Sequence, residues 1–130
     1  MGVYFDDLDM YKVLHNARYL LLFERTLGSF WQVTEEGEAF DNTAHSHLVR
    51  TNSIEYLRPV RGTGQVRVRV WIEKLGRTSM TFAFRMMPMN EDVDYAVGSR
   101  VVVCVDPENY RPVPWSDGFR KRISPWVHPD

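Results

Sequence analysis

Residues 6–23, DDLDMYKVLHNARYLLLF, decide how this chain is read. Asp7 and Asp9 stand one residue apart in a stretch that passes through His15 and Asn16 straight into an apolar run. From Asn16 onward, Tyr19 or Leu20, Phe23, Leu27 and Phe30 or Trp31 recur every three or four residues, the spacing of an amphipathic helix. Glu24, Arg25 and Gln32 fall on the other side, no proline interrupts, and Gly28 costs only up to about 1 kcal/mol, so a helix of about five turns is expected. Leu20-Leu21-Leu22 makes it apolar around most of its circumference, which calls for cover on most sides. Carboxylates in a helix's first turn stabilise it through the dipole. Asp7 and Asp9 lie too far upstream for that and need another role.

Outward from this stretch the signals turn extended. Val3-Tyr4-Phe5 reads as the end of a short strand. Val33 to His45 is polar, with Gly37, Asp41 and Asn42, and reads as a loop with a turn of helix. His47 to Val60 is a strand whose exit is marked by Arg58-Pro59, since proline offers no ladder N–H. After the Gly62-Thr63-Gly64 turn, Val66, Val68, Val70 and Ile72 alternate with Arg67, Arg69, Trp71 and Glu73, so one strand face meets a core. Met80, Phe82, Phe84 and Met86 alternate in the next strand, and Asn90-Glu91-Asp92 forms a turn. Tyr95 to Val105 is the last, and its unbroken Val101–Val105 run predicts burial on both faces. Asp117 to Ile123 is a short helix in a proline-rich tail.

The order is thus a short strand, one long helix and four strands arranged as two long hairpins side by side. It predicts an α+β layer of one helix on an antiparallel sheet, in a single domain over residues 1–130. One helix cannot cover both faces of such a sheet. Trp71 and Met87 leave apolar surface for a second copy, and an isologous dimer is expected at least.

Composition narrows the function. The chain has 130 residues, 44% hydrophobic and 25% charged, as one globular domain would. A net charge of −1 gives no attraction toward nucleic acid or an anionic membrane. Cys104 is the sole cysteine, which excludes an internal disulfide and fits a reducing compartment. No signal-peptide layout opens the chain, and its apolar runs are too short to span a bilayer, so a cytoplasmic location is expected. His45 and His47 would share a strand face, yet no third ligand accompanies them, so no metal site is expected.

Asp7-Leu8-Asp9, His15-Asn16-Ala17-Arg18-Tyr19 and Phe23-Glu24 resemble the D-x-D, N-N-A-R-Y and F-E signature of hotdog-fold acyl-CoA thioesterases of the 4-hydroxybenzoyl-CoA thioesterase type. Ile54 to Val60, IEYLRPV, and Leu75 to Ser79, LGRTS, are similar to further motifs of that family, as is Arg111-Pro112-Val113-Pro114. The resemblance implies the hotdog fold, a long helix wrapped by a curved antiparallel sheet, in a homodimer or a dimer-of-dimers tetramer. It implies hydrolysis of an acyl-CoA thioester with no cofactor, coenzyme A being part of the substrate. By the same resemblance Asp9 is the catalytic carboxylate, either attacking the carbonyl or activating water. The Asn16 backbone N–H, at the helix start, polarises the carbonyl, and His15 is a candidate to orient substrate or hold a proton.

Where the family commonly has glycine, or glycine then histidine, this chain has Lys12-Val13. Lys12 either pairs with Asp9 or meets a phosphate of coenzyme A. Arg58, Arg61, Arg77, Thr78 and Ser79 are further candidates for the nucleotide end, where positive charge and hydroxyls suit phosphate. Tyr19, Phe23 and Trp31 are candidates to line an acyl tunnel, although aromatics at helical spacing also build cores. Asp7 reads as a structural residue binding loop N–H groups. A hotdog protein that binds acyl-CoA or an acyl-carrier group without hydrolysing it is the alternative, and Lys12 is the residue that motivates it.

Overall fold

A computed structural model describes residues 1–34 and 46–128, with residues 32–34 described by backbone only. His45, Pro129 and the loop predicted from Val33 lie outside the described residues, apart from residues 33 and 34, which belong to the helix. The elements are β1 (Gly2–Val3), a 3-10 turn (Phe5–Asp7), α1 (Arg18–Thr34), β2 (His47–Tyr56), β3 (Gly64–Leu75), β4 (Ser79–Pro88), β5 (Ala96–Cys104), α2 (Asp117–Ile123) and a second 3-10 turn (Ser124–Trp126). They form the hotdog fold: one antiparallel five-stranded sheet in the order β1-β3-β4-β5-β2, with a helix.

That order corrects the expected pair of side-by-side hairpins. β3–β4 and β4–β5 are hairpin neighbours, but β2 pairs with β5 rather than with β3, so the chain through Gly62-Thr63-Gly64 is a crossover. Gly62 (φ 69°) and Gly64 (φ 145°) supply the backbone conformations this path needs, which residues with a Cβ rarely adopt. The first strand is also shorter than Val3-Tyr4-Phe5 suggested, because Phe5 enters the 3-10 turn.

Two compact units are distinguished within the chain, the first made of residues 1–30, 54–70 and 84–98. Its core joins Val3, Leu14, Tyr19, Leu22, Val60, Val66, Met86 and Ala96. Phe23, fully buried, meets Phe84 edge-on at a centroid distance of 4.5 Å. Phe23 is therefore core. In the second unit, the described residues within 31–53, 71–83 and 99–130, Trp31 lies 5.7 Å from both Phe82 and His47, and Trp115 stacks on Phe119 at 4.8 Å. Trp31 and His47 thus belong to an aromatic cluster, which fits the reading of His47 as a strand residue.

Burial follows the predicted periodicity in β3, where Val66 and Ile72 are buried and Arg67, Arg69 and Glu73 exposed. It departs from it in two places. Val101 and Val103 are only half-buried beside the buried Val102 and Cys104, so the valine run is closed on one face only. On α1, Tyr19, Leu22, Phe23 and Leu27 are buried, but Leu20 and Leu21 are half-exposed, so among the described residues the helix is not covered on most sides.

Candidate active site

The Asp9 loop is built around its own carboxylate. Asp9 N–H donates to Val13 O at 2.9 Å and Lys12 N–H to Asp9 O at 3.0 Å, closing a tight turn. Inside it, Asp9 Oδ1 accepts from Tyr11 N–H at 2.8 Å and Val13 N–H at 3.4 Å. A carboxylate tied by one oxygen to backbone donors is held against rotation, and Oδ2 accepts no hydrogen bond among the described residues. Lys12 closes the turn in the left-handed region, at φ 61°, and its carbonyl accepts from Gly62 N–H at 2.9 Å. This is the conformation that glycine adopts without strain. Lys12 departs from the family pattern in residue type while keeping the backbone shape glycine would give.

Asp7 has the structural part expected of it. It is 5% exposed, Oδ2 accepts from Tyr4 N–H at 2.9 Å, and Oδ1 lies 3.8 Å from Arg18 Nε. Its carbonyl accepts from His15 N–H at 2.9 Å, which sets the distance along the chain from the acids to the helix start.

At that start His15 O accepts from Arg18 N–H at 2.8 Å, and His15 Nδ1 accepts from Ala17 N–H at 3.1 Å. The imidazole thus serves one of the donors that a helix N-terminus leaves without an intrahelical partner. Accepting at Nδ1 places the proton of the neutral ring on Nε2. Between these bonds, the Asn16 N–H has no hydrogen-bond partner among the described residues. Asn16 O accepts from Tyr56 Oη–H at 3.2 Å, and the Tyr56 ring meets Tyr19 edge-on at 5.0 Å. Tyr19 is 3% exposed; burial pushes its phenol above the ordinary value, with a hydrogen bond to the Val60 backbone opposing the shift.

One cleft of about 730 Å³ is lined by Asp9, His15, Asn16, Tyr19, Tyr56 and Arg58 among others. The fold has therefore brought together five of the residues singled out in the sequence, Asp9, His15, Asn16, Tyr19 and Arg58. The Arg58 side chain makes no ion pair or hydrogen bond among the described residues. Lys12 and Arg61 stand on the adjoining backbone, where Val13 bridges Arg61, but neither lines the cleft, and Lys12 forms no ion pair with Asp9. Tyr56, Met10 and Tyr11 were not singled out. Tyr56 stood within the IEYLRPV motif, and only its hydroxyl's partner reveals what it does.

Arg77, Thr78 and Ser79 belong to the second unit and do not line this cleft. Arg77 and Thr78 lie in the β3–β4 turn and Ser79 opens β4, where Gly76 N–H donates to Ser79 O at 2.8 Å. Their carbonyls anchor the rest of that unit: Arg77 O accepts from Trp115 N–H, Thr78 O from Cys104 N–H, and Ser79 O from Trp115 Nε1 at 3.1 Å. A side chain at Gly76 would press on Ser79 Oγ at 3.0 Å. No group of three or more His, Cys, Asp or Glu side chains that could hold a metal exists among the described residues, nor does any described helix have the length and apolarity to cross a membrane.

Comparison with known proteins agrees with the fold. Among solved structures, a thioesterase from Thermus thermophilus, crystallised with coenzyme A and zinc, is 28% identical, with a TM-score of 0.78 over 97% of this chain and 90% of that one. YbaW of Escherichia coli, named a probable thioesterase, superposes with a TM-score of 0.82 at 21% identity over 98% of this chain and 96% of its own. A DHNA-CoA thioesterase from Staphylococcus aureus does so with a TM-score of 0.78 at 15% identity, over 96% and 86%. The last two likenesses speak for the fold alone. No curated protein matches the sequence. The family model described as the thioesterase-like superfamily matches residues 3–123, nearly the whole length, and the chain belongs to that superfamily.

Proposed function

We propose that this protein hydrolyses an acyl-CoA thioester to the free acid and coenzyme A. The observation that carries the reading is the pairing, in one cleft, of a carboxylate fixed by a single oxygen with an unbonded N–H at a helix start. The thioester carbonyl oxygen takes the Asn16 N–H, a donor whose attraction strengthens as negative charge develops on that oxygen. Asp9 then acts through Oδ2. Either it takes a proton from the water that attacks the carbonyl carbon, or it attacks that carbon itself to give an acyl anhydride that water cleaves. In both routes the carbon–sulfur bond breaks and the thiolate leaves as coenzyme A after protonation. The coenzyme in the Thermus relative supports CoA as the carrier. Arg58, at the cleft and without a partner of its own among the described residues, is the cation best placed to meet the phosphates.

A second copy of the chain completes this reading. β2 is an outer strand of the sheet, and Leu48, Val49, Tyr56 and Leu57 stay 46–50% exposed along it and just beyond. A long unpaired edge bearing apolar side chains favours strand-to-strand pairing.

Thiol release from short, long and aromatic acyl-CoAs, measured for the wild type beside Asp9→Asn, tests the chemistry. Asn keeps the oxygen that Tyr11 and Val13 bind and removes the base, so turnover should fall at least about 100-fold. Near-normal turnover in the variant would sink the mechanism. Stabilisation by acyl-CoA without release, in the wild type, would favour binding without hydrolysis.

A further inference from the structure

Asn16 sits between two peptide planes, and its N–H can serve as a carbonyl-polarising donor only if both are held. Peptide units are planar, so aiming one N–H means fixing the torsions on either side of it. The plane that carries the Asn16 N–H is held through His15 O by Arg18 N–H at 2.8 Å. The next plane is held at both ends: Ala17 N–H by His15 Nδ1 at 3.1 Å, and Asn16 O by the Tyr56 hydroxyl at 3.2 Å. His15, Ala17 and Arg18 are near neighbours of Asn16 in sequence. Among the described residues that hold these two planes, only Tyr56 comes from a distant position, 40 residues along the chain at the end of β2.

Its aim is constrained as well. The half-exposed ring rests edge-on against Tyr19, which is buried in the core of the same unit and gives the ring a fixed neighbour on that side. Local bonds shape the first turn, while this contact fastens the turn to the sheet.

We propose that Tyr56 is a positioning residue for thioester hydrolysis, holding the Asn16 peptide so that its N–H meets the carbonyl oxygen. The inference rests on the acyl-CoA thioesterase reading above. The hydroxyl acts through Asn16, so its loss should slow the chemical step while leaving substrate binding nearly intact. Tyr56→Phe keeps the ring, the contact with Tyr19 and the wall of the cleft, and removes only the hydrogen bond.

The test is a comparison of wild type, Tyr56→Phe and Asp9→Asn on the acyl-CoA that the wild type cleaves best, with amide hydrogen exchange followed in the free proteins. The expected result is a fall in kcat of about 10-fold for Tyr56→Phe, below the roughly 10²- to 10³-fold typical of removing such a donor outright. KM should change less than twofold, the melting temperature should hold, and exchange at Ala17 and Arg18 should quicken. A purely structural tyrosine would instead lower the melting temperature and leave kcat of the folded protein unchanged. Wild-type kcat in Tyr56→Phe, with Asp9→Asn inactive, would overturn this inference alone. Absence of any hydrolysis by the wild type would overturn the thioesterase reading, and this assignment with it.

Discussion

Asp9 Oδ1 accepts a hydrogen bond from the Tyr11 backbone N–H at 2.8 Å, so the carboxylate proposed to do chemistry is also the knot of its own loop. One oxygen holds the turn together through Tyr11 and Val13, and the other accepts no hydrogen bond among the described residues. The two duties can be separated by substitution.

Asp9→Ala removes both, whereas Asp9→Asn keeps an oxygen for the two N–H groups. The alanine variant is expected to lose about 1–2 kcal/mol of stability, and the asparagine variant less than about 0.5 kcal/mol. Urea denaturation monitored by circular dichroism would show the difference. Equal losses in both would mean that the negative charge, not the hydrogen-bond geometry, supports the turn.

Lys12 holds a left-handed conformation, φ 61°, at roughly 1 kcal/mol of strain for a residue with a Cβ. Lys12→Gly is therefore expected to raise stability by about 0.5 kcal/mol after the extra chain entropy of glycine is counted. Lys12→Val, branched at Cβ, should lower it by more than about 1 kcal/mol. Both shifts would appear in the denaturant midpoint. A destabilising glycine would show that the lysine side chain itself holds the loop.

Burial raises the pKa of the Cys104 thiol, and burial with smaller contributions from Tyr56 and Tyr95 raises that of the Tyr19 phenol. Each group is neutral in the folded state to a higher pH than in the unfolded chain, where the ordinary values are about 8.5 and 10. Above those values the unfolded state sheds its protons first. The stability the two groups contribute is thus complete at neutral pH and declines as pH rises through about 8.5 and then 10. Denaturation midpoints from about pH 7 to 11 should fall, and Cys104→Val with Tyr19→Phe should flatten the slope. For the same reason Cys104, 3% exposed, should resist thiol reagents until the protein is unfolded.

Much of this molecule could be read from the order of its residues. The alternation of Val66 to Ile72 with charged neighbours identified β3, and the three- and four-residue spacing from Tyr19 onward identified α1. Asp117 to Ile123 is the observed span of α2, with Ser116 Oγ capping it through Phe119 N–H. These features are local: a side chain's place on a strand face or helix face follows from its position in the repeat. The acids before the helix were visible for the complementary reason, being polar groups that no periodicity explains.

Tertiary structure alone decided which strands pair and which groups meet. Backbone donors and acceptors are alike on every strand, so nothing in residues 47–56 says that β2 lies beside β5 instead of β3. The half-exposure of Val101 and Val103 follows from what packs beyond them, which a valine run cannot encode. The same holds at the site. Sequence placed Asp9 and Asn16 near one helix start, but the hydrogen bonding of Asp9 through one oxygen, the Lys12 backbone angle and the reach of Tyr56 to Asn16 across 40 residues depend on the closed chain. Hydrogen bonds join groups that folding brings within about 3 Å, and that proximity is a property of the whole fold rather than of any stretch of it.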